Sequence, residues 1–199
     1  GPGPGPGPGP GPGPAADDRD PVGHGAVVGI DDHAAALVAH RPAHHPAHHS
    51  APWFVSMVGF VAGLPFLYQL VERDRQLQVP KYLRPRTDTP KLTVGYGGCF
   101  SCIYSVRGAG GYQMFGITPM PIYDPEQSIS YLQDFMVFFR PGDIVKWKPI
   151  DRAEYDAITA RVAANTYVPR IRPVSFDLDA FKADIDGTNA RLMEALDGD

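Results

Sequence analysis

The chain has 199 residues, of which 43% are hydrophobic and 20% charged, and its formal net charge is −4. A chain of this length can bury one ordinary core and carry appendages. The near-neutral charge balance argues against a general nucleic-acid-binding protein, which needs a broad basic surface. Two cysteines cannot form a disulfide framework and no signal peptide is evident, so we expect a cytoplasmic protein.

Residues 1–50 predict a disordered tail. Residues 1–14 are seven Gly-Pro repeats, which form neither helix nor β ladder because every second residue lacks an N–H group. Residues 15–50 contain all seven histidines: His24, His33, His40, His44, His45, His48 and His49. Such a tract can bind a transition metal adventitiously, but a flexible segment offers no fixed coordination geometry, so no metal site is predicted. Because residues 50–199 lack histidine, we also expect no Ser-His or Cys-His chemistry in the folded part.

Residues 51–150 predict a β core. The uncharged run 53–70 is long enough to suggest a membrane span, but Gly63 and Pro65 interrupt it, which favours a buried strand at 53–57 and then a turn. The further predicted strands are 76–79, 92–96, 100–106, 112–117, 135–139 and 143–149, several of them separated by glycine turns. The apolar run 135–139 predicts a strand covered on both faces, whereas alternation in 143–149 points Val145 and Trp147 to one face.

Residues 151–199 predict a C-terminal helical extension. Asp151 and Glu154 form a capping box, and the residues at helical spacing behind them are Tyr155, Ile158 and Val162. A short extended piece at 168–172 follows. A second amphipathic helix has acids in its first turn, Asp177 and Asp179, and apolar positions at Phe181, Ile185, Leu192 and Leu196.

A basic region lies within the β core. Its bases are Lys81, Arg84, Arg86, Lys91 and Arg107, against a single acid, Asp88. Pro85 separates Arg84 from Arg86, so the two guanidinium groups could form a stiff clamp for a carboxylate or phosphate, or belong to an ordinary solvated loop. The glycines at 97–98 and 108–111 could direct backbone N–H groups at an anion, or only supply positive φ in hairpins. No Walker motif is present, so a self-contained P-loop nucleotide site is not expected.

Cys99 and Cys102 have a spacing that also occurs in redox and zinc motifs. On a strand, residues three apart point to opposite faces, so the two sulfur atoms cannot meet. The β core has no histidine and no further cysteine to complete a zinc site. We therefore expect two packed thiols, with Cys102 in the core.

Several motifs, in order along the chain, resemble one family. They are MVGFVAGLPFLYQL, QVPKYLRPR, VGYGG, IYSVRGAGGYQMFGITP, and FFRPGDIVKWKPI followed by EYDAI. They resemble the family that contains allophanate hydrolase subunit 1, the B-type subunit of 5-oxoprolinase, the Kip-type kinase inhibitor, and subdomains C and D of the urea carboxylase carboxyltransferase domain. The resemblance covers about residues 52–158, and residues 167–196 are more similar to the end of the urea carboxylase domain than to the shorter bacterial proteins.

The resemblance implies a cyclophilin-like β-barrel that works as a non-autonomous enzyme subunit. It implies a hetero-oligomer with a subunit-2-type carboxyltransferase partner, a small ureido or lactam substrate, and ATP or carboxybiotin as co-substrate, with no cofactor bound by this chain alone. Neither nucleic acid nor a membrane is expected as a partner. Stand-alone members begin with a small α+β domain that residues 1–50 do not resemble, which suggests a fragment or a branch without that domain. Tyr96 and residues 100–102 depart from the usual Gly-Gln-Thr type, so the substrate itself is not carried over.

The residues that match the family motifs give a candidate substrate site. Arg84 and Arg86 would hold a carboxylate or phosphate. The other candidates are the backbone at Gly97, Gly98, Gly110 and Gly111 as anion donors, and Tyr104, Gln113 and Thr118 as polar groups that orient the substrate. Proton transfer would use a tyrosine, an acid such as Asp88 or Asp124, or a group from the partner. The alternative function is a non-catalytic binding module like the Kip-type inhibitor, while prolyl isomerisation would rest on the fold alone.

Overall fold

The computed structural model of the protein describes residue 1, residues 26–32 and residues 47–197. The strands are β1 (Ala26–Asp32), β2 (Trp53–Val58), β3 (Pro65–Gln69), β4 (Arg86–Thr89), β5 (Thr93–Gly97), β6 (Phe100–Ile103), β7 (Gly108–Gly110), β8 (Gln113–Ile117), β9 (Ile144–Pro149) and β10 (Arg170–Pro173). The helices after residue 50 are a 3₁₀ turn (Ser130–Leu132), α1 (Arg152–Ala163), α2 (Leu178–Ala183) and α3 (Ile185–Asp197). The predicted class, mainly β with a helical C-terminal extension, is confirmed.

Eight strands form one sheet in the order β10-β1-β9-β2-β3-β6-β5-β8, and β4 pairs with β7 in a separate ribbon. The pairs are antiparallel except β1 with β9, which run parallel. The six strands from β9 to β8 curl into a half-barrel. Among the described strands β8 pairs only with β5, so no hydrogen-bonded ladder joins β8 back to β9.

The main core fills the inner face of this half-barrel. Alternation turns every second strand residue inward, and the inward residues include Trp53, Val55, Leu67, Val94, Tyr96, Ile103, Phe115, Val145 and Trp147. The predicted inward positions Val145 and Trp147 are therefore confirmed. Ile158 of α1 joins the same core, as the helical spacing predicts, and the Asp151 side chain caps α1 by accepting from the Glu154 N–H at 2.8 Å.

The uncharged run 53–70 is a β-hairpin. Strands β2 and β3 pair across a turn in which Gly63 has φ +71°, a conformation that favours glycine. Pro65 is the first residue of β3, where its missing N–H is tolerated. No helix in the described ranges is long and apolar enough to cross a membrane.

The second predicted C-terminal helix is divided in two at Asp184. That residue has extended backbone (φ −151°, ψ 87°), and its carboxylate accepts from the Gly187 N–H at 2.8 Å. An Asp that can cap a new helix competes with continuation of the old one, which explains the division. Leu192 and Leu196 of α3 pack with Leu70 and Ile144 as a second hydrophobic cluster.

The predicted strand at 135–139 is wrong. The segment is irregular apart from a single bridge between Tyr123 and Val137, and Phe135 is 49% exposed. The apolar composition was misleading because only some of these side chains are buried: Phe139 reaches the main core, while Phe135 faces solvent. No β ladder described in the structure flanks the segment. The short strand predicted at 76–79 is likewise reduced to one bridge, between Val79 and Gly98.

The prediction of a disordered tail over residues 1–50 does not hold for two parts of it. Residues Ala26–Asp32 form β1 between β10 and β9, and residues 47–50 lie against the half-barrel with His48 buried. Neither part could be recognised from composition, because its ordering depends on strands far along the chain. The rest of the predicted tail lies outside the described residues.

Candidate functional site

The outer face of β5 and β6, opposite the main core, carries a second group of side chains. We call it the outer cluster: Leu64, Cys102 and Tyr104, with Val61, Phe66 and Tyr112 packed against them. It exists because of strand alternation, since Tyr96, Ser101 and Ile103 point inward while Cys102 points outward. The outer cluster contains the predicted candidate Tyr104.

Glycines on β5 and β7 allow the tyrosines of the outer cluster to lie directly on backbone. A Cβ atom at Gly97 would come within 2.5 Å of Tyr112 Cδ1, and one at Gly95 within 2.8 Å of Tyr104 Cε2. A Cβ atom at Gly110 would likewise meet the Tyr104 hydroxyl. Glycine is therefore required at positions 97 and 110 because side chains pack directly against the backbone there, and not because the backbone needs a positive φ.

Arg86 is held beside the outer cluster by the β4–β7 ribbon. It pairs with Gly110, and its Nε donates to Thr89 Oγ1 at 3.3 Å. The guanidinium carbon lies 5.1 Å from the centre of the Tyr82 ring, a cation–π distance. Both terminal guanidinium nitrogens are buried and make no hydrogen bond within the described protein. Because an unpaired buried charge is costly, this geometry suits an anion that accepts from both nitrogens.

Three ionisable groups of the outer cluster, beside Arg86, are neutral near pH 7. Burial raises the pKa of Cys102 to about 12 and the pKa of Tyr112 to about 12. Burial also raises the pKa of Tyr104, and a hydrogen bond from the Tyr112 backbone together with the nearby Arg86 guanidinium offsets part of that increase. None of these three groups can neutralise the guanidinium by ionising at neutral pH.

The two arginines of the predicted clamp have different environments. Arg84 is exposed, whereas Arg86 is half-buried with its two terminal nitrogens inside the protein. The exposed neighbour Leu83 shows that this part of the loop faces solvent. The structure therefore gives Arg86, and not Arg84, a setting in which an anion would be desolvated.

The remaining predicted residues hold the loops that surround Arg86 or lie elsewhere. Gly98 has φ +64° and exchanges both backbone hydrogen bonds with Val79, while Gly111 accepts from the Tyr82 N–H at 2.8 Å. Gln113 donates to the Pro80 carbonyl at 3.0 Å. Thr118 is fully buried and accepts from the Met120 N–H, so it caps a turn. Of the nine predicted residues, the structure places Arg86, Gly97, Tyr104 and Gly110 in or beside the outer cluster.

The two acids considered for proton transfer already have structural partners. Asp88 forms a two-bond ion pair with Arg107, with both N–O distances at 2.7 Å, and this hydrogen bonding lowers its pKa. Asp124 accepts from the N–H groups of Glu126, Ser128 and Ile129, which lowers its pKa. Both acids are therefore carboxylates at neutral pH, and none of the hydrogen bonds described for them reaches Arg86.

The two thiols are free, and they are not equivalent. Cys102 is 2% exposed, which confirms its predicted place in the core. Cys99 is half-exposed, and its Sγ lies 3.2 Å from the Tyr68 hydroxyl. The described residues contain no group of His, Cys, Asp and Glu side chains that could hold a metal ion.

One buried contact between polar side chains could not be predicted from the sequence. His48 Nε2 lies 3.0 Å from Ser101 Oγ in the interior. The expectation of no Ser-His chemistry considered only residues 50–199, and it therefore left this histidine out. The omission arose because His48 belongs to a low-complexity tract with six other histidines, in which no residue pattern distinguishes it. The His48 carbonyl also accepts from the Trp53 indole N–H at 2.8 Å.

The curled sheet and the outer cluster define a mainly β module with a cationic site on its outer face. The chain belongs to the family of the carboxyltransferase domain, subdomain C and D, whose model matches residues 25–132. It is 32% identical over 105 residues to the B-type subunit of 5-oxoprolinase from Bacillus subtilis, covering 53% of this chain and 40% of that protein. It is 33% identical over 129 residues to urea amidolyase of Lachancea kluyveri, covering 64% of this chain and 7% of that protein.

A similar fold occurs in the Kluyveromyces lactis urea carboxylase. The two structures have a TM-score of 0.66 at 19% sequence identity, over 88% of this chain and 18% of that chain. The present chain spans less than half the length of the 5-oxoprolinase subunits that it matches. It therefore contains a carboxyltransferase-type module that these enzyme subunits share.

Proposed function

We propose that this chain is the substrate-holding module of an amide-handling carboxyltransferase or hydrolase. It acts as a non-autonomous subunit with a subunit-2-type partner on a small ureido or lactam compound that carries a carboxylate. The relatives named as 5-oxoprolinase subunits and urea amidolyase support this class of chemistry. The single observation that carries the proposal is the buried guanidinium of Arg86, whose two terminal nitrogens have no hydrogen-bond partner among the described residues.

Arg86 suits a carboxylate in both geometry and environment. A guanidinium end with two free N–H groups matches the two oxygens of a carboxylate, and burial excludes the water that would screen the pair. Tyr82 and Thr89 hold the group in place, so little side-chain entropy is lost when a ligand binds. Tyr104 stays protonated at neutral pH and can donate a further hydrogen bond to the ligand.

The co-substrate, ATP or carboxybiotin, is assigned to the partner. A phosphate-binding loop needs free backbone N–H groups, and the N–H of Gly98 is already donated to Val79. No Walker motif compensates for this. Proton transfer is also assigned to the partner, because Asp88 and Asp124 are engaged in hydrogen bonds elsewhere.

A binding experiment tests the role of Arg86. Isothermal titration with 5-oxoproline and with allophanate should show uptake by the wild-type chain, and Arg86→Ala should weaken it at least tenfold, about 1.4 kcal/mol. Arg84→Ala is the matched control and should leave the affinity within twofold, since that side chain is exposed. Equal losses for the two variants, or no uptake of either carboxylate, would contradict the proposed site.

A second candidate function is the non-catalytic protein-binding module. It is supported by two apolar side chains in turns, Phe60 at 88% exposure and Leu83 at 101%. The two functions separate in an assay with the partner protein present. If Arg86→Ala abolishes turnover while Leu83→Ser leaves it unchanged, the enzyme module is supported; the reverse result favours the binding module.

A further inference from the structure

The inner face of the half-barrel contains a side chain that comes from outside the sheet. His48 is 4% exposed and lies among four aromatic rings, with centroid distances of 5.0 Å to Trp53, 5.1 Å to Trp147, 5.5 Å to Phe115 and 5.9 Å to Tyr96. Its Nε2 lies 3.0 Å from Ser101 Oγ. We call His48, Ser101 and these four rings the His48 hub.

The hub connects every strand of the half-barrel. Its rings belong to β9, β2, β5 and β8, Ser101 belongs to β6, and Gln69 of β3 donates to the carbonyl of Ala47, next to His48, at 2.6 Å. Strands β8 and β9 share no ladder in the described sheet, yet the imidazole contacts Phe115 on one and Trp147 on the other. The imidazole thus spans the side of the half-barrel that has no backbone hydrogen bonds.

Ser101 connects the His48 hub to the backbone of β5, whose outer face bears the outer cluster. Its hydroxyl donates to the Gly95 carbonyl at 3.3 Å, and the same oxygen atom lies 3.0 Å from His48 Nε2. The other side of Gly95 is the surface on which Tyr104 and Tyr112 rest. A change in the Ser101 hydrogen bond therefore alters β5 under the tyrosines that flank Arg86.

We propose that His48 is a positioning residue for the Arg86 site, acting through Ser101 and Gly95 from the opposite face of the sheet. This inference rests on the proposed function of Arg86. The alternative is that His48 only fills space in the main core. That alternative predicts that packing variants matter and that the Ser101 hydrogen bond does not.

Three variants separate these possibilities. His48→Phe keeps a ring among the four aromatics but removes the hydrogen bond, and Ser101→Ala removes the same bond from the other partner. Ile103→Val is the matched control, since Ile103 is a fully buried inward residue of the same strand. The two tryptophans of the chain, Trp53 and Trp147, both border the hub, so intrinsic fluorescence reports whether each variant is folded there.

The readout is the ¹H–¹⁵N resonance of the Arg86 Nε–H, together with the Gly95 amide. Both resonances should shift in His48→Phe and Ser101→Ala, and the affinity for 5-oxoproline should fall at least fivefold, whereas Ile103→Val should change neither. If the resonances of folded Ser101→Ala coincide with wild type, or Ile103→Val shifts them equally, the inference is overturned. If wild type binds neither 5-oxoproline nor allophanate, the proposed function fails, while the resonances still decide the role of His48.

Discussion

The Asp143 carboxyl should make the protein less stable as the pH rises toward neutrality. Asp143 is 6% exposed, and burial raises its pKa from 3.8 to about 6, although its Oδ2 accepts from the Arg140 N–H at 2.8 Å. A raised pKa in an acid means that the folded state binds the proton more tightly than the unfolded state. Stability from this group is therefore highest below about pH 4 and is lost as the pH rises through about 6.

The size of the effect follows from the pKa difference. At about 1.4 kcal/mol for each pH unit, ionised Asp143 lowers the free energy of unfolding by about 3 kcal/mol above pH 6. Asp143→Asn removes the titration and keeps an oxygen to accept from Arg140, so it should gain stability relative to wild type between pH 4 and pH 7. Urea unfolding at intervals of half a pH unit measures the gain.

The control is Asp124, an acid whose pKa is shifted in the opposite direction. Hydrogen bonds lower the pKa of Asp124, so its contribution is present at neutral pH and lost as the pH falls through the folded-state pKa. Asp124→Asn should therefore lose stability at pH 7 and lose less at acid pH. Parallel curves for wild type and Asp143→Asn across the whole range would refute the argument for a buried, destabilised carboxylate.

Two further predictions concern the outer cluster. Gly97→Ala should cost about 1–3 kcal/mol in the free energy of unfolding, because its Cβ would meet Tyr112, while the control Gly108→Ala, with nothing within 4 Å, should stay within about 1 kcal/mol; equal costs would refute direct stacking on Gly97. Iodoacetamide should label Cys99 in the native protein and leave Cys102 unmodified until denaturant is added, since Cys102 is buried with a raised pKa. Peptide mass spectrometry would detect both adducts, and labelling of native Cys102 would contradict the packing.

The sequence predicted those parts of the fold in which local pattern and tertiary environment agree. Alternation placed Val145 and Trp147 in the core correctly, and the Asp151 cap begins α1 where the capping box predicts it. The strand predicted at 135–139 was wrong because an apolar run does not show whether a neighbouring strand is present to pair with it. Whether the helix continues or ends at Asp184 could not be predicted from the sequence either, because an Asp side chain suits both an exposed position within a helix and the cap of a new helix.

The sequence predicted which part of the chain contains the candidate site, but not which of its side chains lie close together. The basic proline loop and the glycine turns directed attention to the correct part of the chain, but Arg84 and Arg86 are equivalent by sequence. What separates them is the pairing of Arg86 with Gly110 across the ribbon, a contact between residues 24 positions apart that no local pattern encodes. Gln113 and Thr118, predicted to orient a substrate, form hydrogen bonds with backbone groups of the loops.

The two faces of β5 and β6 account for both the candidate site and the residue that was missed. The strands are short, and each inward residue has an outward neighbour, so Ser101 and Cys102 point to opposite sides of the same backbone. A side chain that fixes the inner face, as His48 does through Ser101, cannot be independent of the tyrosines that lie against Gly95 and Gly97 outside. Residues 47–50 can thus matter to the proposed anion site from the opposite face of the sheet, because a closely packed interior transmits strain from one face to the other.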